Sequence, residues 1–294
     1  MEDEVKIMKN YLKLLRIKHW LKNGLVLLPL FFGKSIFNLN KISSVLIAFI
    51  IFSFISSIVY IINDINDIDA DRNHPKKKNR PLASGKVSIK NAILVLILLM
   101  ILSISLIIYL YNKTSNIFII LIPLLYLILN ILYSTKLKHI PIIDVAILVS
   151  GFVLRVYYGG IASNIEISSW LYLMIMFGSF YLGFGKRRNE MKHNNTRKVL
   201  KYYNKEFLDK NMYVSLGLSI ISYSLWCVDP LTKLNISSNY LVLTIPLVMM
   251  VFQKYSLIIE GDSDGDPIEV ILNDRLLISL ITAYIIVMIF IIYI

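Results

Sequence analysis

Cysteine is nearly absent. Cys227 is the only one, set inside an apolar run, which excludes a disulfide framework and a thiolate metal site. Charge is scarce as well: 17% of the 294 residues are charged, against about a quarter in a soluble domain. Acids are scarcer than bases, 19 against 31, leaving a net charge of +12. The stretch from Met1 to Lys22 has no small-residue cleavage site, so no cleaved leader is expected. Neither repeats nor a low-complexity tail stand out, and no soluble second domain is expected. What remains is apolar, with 56% hydrophobic residues and a mean hydropathy of +0.66. These features point to a single integral membrane domain over residues 1–294, multi-pass in the cell membrane.

A bilayer core takes about 20 consecutive apolar residues per helix. Nine such runs are predicted, at about Trp20–Phe37, Ile42–Ile62, Asn91–Tyr111, Ile117–Tyr133, Ile142–Ile161, Ile167–Phe184, Tyr213–Val228, Tyr240–Phe252 and Leu276–Tyr293. The fold class is therefore an all-α membrane protein, a bundle of nine transmembrane helices. Placing the bases against these runs leaves Lys34, Lys41, Lys113 and Lys233 on one side, Arg155 within a run, and the other 26 of the 31 on the opposite side. By the positive-inside rule the N-terminus and the basic loops are cytoplasmic, and the C-terminus ends outside.

The second run closes on Asn63-Asp64-Ile-Asn-Asp67-Ile-Asp69-Ala-Asp71, followed by Arg72-Asn-His74-Pro75-Lys76-Lys77-Lys78-Asn-Arg80-Pro81. At helical spacing Asn63, Asp67 and Asp71 stack one turn apart, Asp64 joins their face, and Asp69 points elsewhere. Carboxylates stacked at a membrane helix end repel one another without a cation. Hard oxygens beside an amide suit a Mg2+ ion that shares its coordination with phosphates. Asn63, Asp64, Asp67 and Asp71 are thus the expected metal ligands. The basic run after them is able to neutralise the same phosphates, although its lysines also fit a solvated loop.

This pattern resembles the first signature of the UbiA-type intramembrane prenyltransferases. The continuation His74-Pro75-x-Lys77-x-x-Arg80-Pro81-x-Ala83-x-Gly85 is similar to the decaprenyl-phosphate phosphoribosyltransferase branch. So are Arg16-x-x-His19-Trp20-x-Lys22-Asn23, Gly151-Phe-Val-Leu-Arg155-x-x-x-Gly159-Gly160, and Gly261-x-x-x-Gly265-Asp266-Pro267-x-Glu269 with Asn273-Asp274-Arg275. After the sixth run, where the wider superfamily carries a second aspartate cluster, this chain has Gly185-Lys186-Arg187-Arg188-Asn189-Glu190. A lysine and arginine there suit direct phosphate binding, as in that branch, although a stop-transfer cluster would look the same.

The resemblance implies a cytoplasm-facing cavity open laterally to membrane lipid. It also implies Mg2+-dependent transfer of the phosphoribosyl group from phosphoribosyl diphosphate to a decaprenyl or undecaprenyl phosphate, and a possible homo-oligomer. On that basis Asp64, Asp67, Asp71, Lys186 and Glu190 are expected to be catalytic. Lys22, Lys77, Arg80, Arg155, Lys186 and Arg187 are expected to bind substrate. Glu190 would orient Lys186 or meet ribose hydroxyls. Asp144 and Arg155 share a helix face about 16 Å apart, too far to pair; they fit a polar interior, although Asp144 would equally fit the membrane interface. His19, His74, His139 and His193 have no ligand spacing, and nothing calls for nucleic acid. An aromatic prenyltransferase is the alternative, disfavoured by the missing acidic cluster. A transporter would leave the stacked aspartates without a purpose.

Overall fold

The computed structural model describes residues 2–73, 77–192, 197–261 and 265–294, with side chains from Val5 onward. His74, Pro75, Lys76 and His193 lie outside the described residues. Among the described residues the regular elements are helices joined by short turns, as the apolar runs require: a segment in lipid must satisfy its own backbone hydrogen bonds. In order come α1 (Glu2–Leu14), a 3-10 segment (Ile17–Leu27), α2 (Leu28–Phe32), α3 (Leu39–Asn66) and α4 (Ile68–Arg72). Then follow α5 (Ile89–Thr114), α6 (Phe118–Thr135), α7 (Ile143–Ser163), α8 (Ser169–Lys192), α9 (Lys205–Val228) and α10 (Pro230–Ile236). A short 3-10 turn (Tyr240–Thr244) leads into α11 (Ile245–Glu260), and α12 (Pro267–Asn273) and α13 (Arg275–Tyr293) end the chain. Polar side chains start several of them. Asn38, Ser88, Asn204 and Asp274 each accept from the backbone N–H three residues on, at 2.7–3.2 Å.

Among the described residues, seven helical stretches are long and apolar enough to cross a membrane. They coincide with the second to fifth and the seventh to ninth predicted runs. The sixth, Ile167–Phe184, overlaps α8, whose scattered polar residues and Lys186-Arg187-Arg188 lower its mean hydropathy. The first, Trp20–Phe37, differs from the expected continuous helix. Its first half is 3-10, its second half is the five-residue α2 with Pro29 in the first turn, and Arg16 enters it at φ 51°. Buried Asn23 explains the departure, because its amide serves partners on α3 and α7 rather than lipid.

The helices divide into an inner and an outer set. The apolar stretches of α3 and α7 are 61% and 56% buried, whereas those of α5, α6 and α13 are 17–22% buried, and α5 turns Ile93, Leu94, Ile97 and Leu98 outward. The 3-10 segment packs against both inner helices, where Val26, Ile51, Phe52, Tyr126 and Tyr158 form one core. Contact is closest at Gly159 on α7, where a Cβ would stand 1.9 Å from the Val26 carbonyl oxygen. Gly159→Ala should therefore destabilise by about 1–3 kcal/mol, the usual consequence of overpacking. Gly217→Ala, in the interior of α9, meets nothing within 4 Å and should be neutral to slightly stabilising. Thermal unfolding in detergent compares the two, and equal midpoints would contradict this packing.

Candidate active site

Three segments converge where α3 ends. Arg16, held at positive φ between α1 and the 3-10 segment, donates to Asp64 Oδ1 at 2.5 Å and lies 4.5 Å over the Tyr60 ring. Arg80, from the loop before α5, donates to the same oxygen at 3.1 Å and to Asp71 Oδ2 at 2.6 Å. The helix breaks at Asp67, yet Asp67 N–H still reaches Asn63 O at 3.0 Å and Asp71 N–H reaches Asp67 O at 2.8 Å. The four-residue register thus survives the break, and Asp64 and Asp71, seven apart, face one guanidinium. Asn63 and Asp67 are half-buried beside them, and Lys77 lies exposed within electrostatic reach of Asp67 and Asp71.

Magnesium usually takes one or two carboxylates and completes its shell with water and substrate phosphates. Among the described residues no three acidic, imidazole or thiol side chains gather into an all-protein cage. Asp64 and Asp71 are both buried, and Asp64 Oδ2 has no hydrogen-bond partner. That unsatisfied oxygen beside a second carboxylate fits an ion shared with phosphate, with Arg16 and Arg80 as the present counter-charges.

A small cavity of about 110 Å3 lies next to this cluster, lined by Lys22, Tyr60, Tyr126, Arg155, Lys186 and others. Lys22 Nζ and Lys186 Nζ approach the same oxygen, Asp266 Oδ2, at 3.5 and 3.7 Å. Asp266 also caps α12, accepting from Ile268 N–H at 3.0 Å. Burial by itself would raise the Asp266 carboxyl, but the two ammonium groups outweigh it and hold it below the usual carboxylate range. Arg155 sits deeper, donating to Asn23 Oδ1 at 2.7 Å, Gly151 O at 2.5 Å and Tyr126 OH at 3.0 Å.

Arg187 occupies a different place from its neighbour Lys186. It is wholly buried and donates to Asp144 Oδ2 at 2.5 Å, Glu190 Oε2 at 2.8 Å and Tyr133 OH at 3.1 Å. Asp144, also wholly buried, accepts from Tyr203 OH at 2.6 Å. Glu190 is thus engaged by Arg187 and, at 3.6 Å, by Arg197, and forms no ion pair with Lys186 among the described residues. Arg188 fastens α8 to Asp209 of α9 and Glu260 of α11. A larger cavity, about 600 Å3, opens at the far end of α3 around Lys41, Asn164 and Trp170, remote from the aspartates.

The model of the UbiA prenyltransferase family matches residues 26–271. The chain belongs to that family. Decaprenyl-phosphate phosphoribosyltransferase of Corynebacterium glutamicum is 35% identical over 292 residues, covering 96% of this chain and 86% of that protein. The Mycolicibacterium smegmatis protein of the same name is 32% identical, covering 95% and 91%. Among solved structures, a UbiA homolog from Archaeoglobus fulgidus bound to GPP and Mg2+ has a TM-score of 0.67 at 22% identity, covering 95% of this chain and 99% of that one. A digeranylgeranylglyceryl phosphate synthase structure has a TM-score of 0.66 at 21% identity, covering 96% and 98%. At such identities these likenesses speak for the fold alone: this is a UbiA-like multi-pass membrane fold.

Within this UbiA chain, the expected residues fall into three groups. Asp64, Asp71 and Arg80 are joined directly, with Asn63, Asp67 and Lys77 around them. Lys22, Arg155 and Lys186 line the adjoining cavity, while Arg187 and Glu190 lie in the buried network around Asp144. Sequence reasoning assigned no role to Arg16, Tyr60, Asn23 or Asp266. Only membership of the quoted motifs marked Arg16, Asn23 and Asp266, because neither periodicity nor charge count distinguishes them. The split between neighbours is testable. Asp144→Ala leaves Arg187 buried without its closest partner and should remove about 3–5 kcal/mol of stability. Lys186→Gln should leave the unfolding midpoint within a few degrees of wild type while impairing substrate binding. Equal thermal effects would contradict the separation.

Proposed function

We propose that this protein is a polyprenyl-phosphate phosphoribosyltransferase. It moves the 5-phosphoribosyl group from phosphoribosyl diphosphate to a decaprenyl or undecaprenyl phosphate and releases diphosphate. The observation that carries the reading is the pairing of one acidic cluster, Asp64 and Asp71, with a neighbouring cavity that is basic. A prenyl diphosphate held by two metals would call for carboxylates where Lys186 stands. The near full-length relatives named decaprenyl-phosphate phosphoribosyltransferase support the same activity. The aromatic prenyltransferase alternative lacks an acidic partner site for that reason.

The acceptor is already a phosphate anion, so the reaction needs no general base. Its oxygen forms a bond to the anomeric carbon as the bond to diphosphate breaks, and no proton moves. Asn63, Asp64, Asp67 and Asp71 would hold Mg2+, which when bound offsets the charge that builds on the departing diphosphate. Arg80, which holds Asp64 and Asp71, and Lys77 near them would offset charge on the same phosphates, with Arg16 adding to them at Asp64. Lys22, Lys186 and Arg155 meet the remaining phosphate groups. Arg187 and Glu190 act at one remove, fixing the end of α8 so that Lys186 stays aimed into the cavity. Positioning and charge neutralisation carry the catalysis.

The same reading gives nine membrane crossings, with Trp20–Phe37 and α8 added to the seven apolar helices. It puts the N-terminus and the site on the cytoplasmic side, the C-terminus outside, and allows a homo-oligomer. Labelled phosphoribosyl diphosphate with Mg2+ and undecaprenyl or decaprenyl phosphate should deliver label to the lipid phase. Asp67→Asn should lower that transfer at least about 100-fold with normal expression. Absence of label with every acceptor would overturn the function, and retained activity in Asp67→Asn would overturn the metal face. A single in-line displacement also inverts the anomeric carbon, so NMR of the product should show the configuration opposite to the donor's. Retention would point to a covalent intermediate instead.

A further inference from the structure

The first helix has a face that neither the bundle nor the aspartate site uses. At 100° per residue, Val5, Ile7, Met8, Tyr11, Leu12 and Leu14 of α1 fall on one half of the helix, and Lys6, Lys9, Asn10 and Lys13 on the other. One edge of the apolar half is docked. Leu14 is wholly buried in a core with Ile58 and Ile61 of α3 and Ala92 of α5, and Tyr11 packs against that core. Asn91 of α5 donates to Tyr11 OH at 3.3 Å, and Ser57 of α3 donates to Leu15 O at 2.8 Å. The rest of the apolar half is bare: Val5, Ile7, Met8 and Leu12 are each 41–57% exposed.

The docking level fixes what these residues meet. Asn91 stands in the first turn of α5, and Ile58 and Ile61 lie near the end of α3. Both helices are long and apolar enough to cross a membrane. The docked end of α1 therefore sits where their apolar stretches give way, at the boundary between hydrocarbon and headgroups. A helix with one apolar and one basic side at that level suits the plane of the interface.

The lysines give the surface its sign. Lys6, Lys9 and Lys13 form a stripe about 60° wide that borders the bare apolar edge and points away from Leu14. All three are exposed, and among the described residues none forms an ion pair. Lys90, next to Asn91, is exposed as well, while Glu2, Asp3 and Glu4 precede the lysines in the turn farthest from the docked end. Such a stripe would repel its counterpart on a second copy, whereas anionic lipid headgroups attract each lysine at a membrane surface.

The same helix is tied to the aspartate site. Leu15 N–H reaches Tyr11 O at 2.9 Å and Arg16 N–H reaches Lys13 O at 3.2 Å, so the Arg16 backbone is closed onto the last turn of α1. Its guanidinium is the one that donates to Asp64. We propose that α1 is an interfacial helix that binds anionic phospholipid through Lys6, Lys9 and Lys13, with Val5, Met8 and Leu12 at the acyl boundary. This seating holds Arg16 in place at Asp64. Such a surface partner is independent of the phosphoribosyltransferase reading, and detecting it needs no transfer activity.

Hydrogen exchange of the full chain, followed by mass spectrometry, compares nanodiscs of phosphatidylcholine with nanodiscs that also contain phosphatidylglycerol. Amides of α1 should exchange at least about tenfold more slowly with phosphatidylglycerol, since each lysine at an anionic surface supplies roughly a fivefold factor. About 0.5 M salt should remove the difference. The triple variant Lys6→Gln, Lys9→Gln, Lys13→Gln should show the phosphatidylcholine rate in both discs. Met8→Gln with Leu12→Gln keeps helix propensity and should speed exchange in both. Residues 15–19, around Arg16, should slow together with α1. Equal exchange of α1 in the two lipids would overturn the proposal, as would a phosphatidylglycerol effect that survives in the triple lysine variant. Slow exchange that appears only with two copies per disc, whatever the lipid, would assign the face to a second copy and overturn the anionic partner. Exchange at residues 15–19 that ignores the lipid would overturn the link to Arg16.

Discussion

A carboxylate at the end of a membrane helix cannot stay charged without compensation, and Asp64 meets that requirement in a way that organises the site around it. It is 2% exposed and receives Arg16 at 2.5 Å and Arg80 at 3.1 Å. The two arginines come from segments on either side of α3 in sequence. Neutralising one oxygen therefore pins the link after α1 and the loop before α5 to the same point. In a low-dielectric setting such pairs are strong once formed and costly to leave half-made. The same logic recurs at Asp144, where Arg187 is held between two carboxylates and two tyrosine hydroxyls are drawn in. Between these balanced clusters lies a cavity lined by Lys22, Arg155 and Lys186, where Asp266 is the carboxylate that meets both lysines. A basic lining placed between rigid, balanced neighbours is a setting in which phosphates bind without large rearrangement of the helices.

How much of this the sequence disclosed depends on whether the cause was local. Long apolar runs fixed α3, α5, α6, α7, α9, α11 and α13, because length and hydropathy are properties of the segment itself. The run at Trp20–Phe37 resisted for the opposite reason. Its irregular backbone answers to Asn23, which is shared between Ser53 of α3 and Arg155 of α7, and those partners are 30 and 132 residues away. The acidic face was legible through its spacing, yet the guanidinium that bridges Asp64 and Asp71 belongs to a loop residue with no periodic signature. Lys186 and Arg187 were alike in sequence. A rotation of 100° per residue sends one into the cavity and the other into the core, and only packing reveals which.

Membership of the UbiA family and the likeness to phosphoribosyltransferases give the chain its chemical class. The arrangement of charge gives that class a physical rationale. A reaction between two phosphate-bearing substrates brings several negative charges together; on the proposed reading a carboxylate pair suits a divalent ion on one side, and Lys22, Lys186 and Arg155 stand on the other. Arg187 and Glu190 serve this design from behind. Their burial explains how a polar helix end can be rigid within an otherwise apolar bundle.

The central claim is that the α3 end, built on Asp64, is the donor's binding place and works through a divalent cation. Equilibrium binding of labelled phosphoribosyl diphosphate to the protein in lipid nanodiscs, titrated with Mg2+, tests it most directly. Binding should rise with Mg2+ and be lost in Asp64→Asn even at temperatures well below that variant's lowered unfolding midpoint. Tight binding that needs neither Mg2+ nor Asp64 would contradict the account.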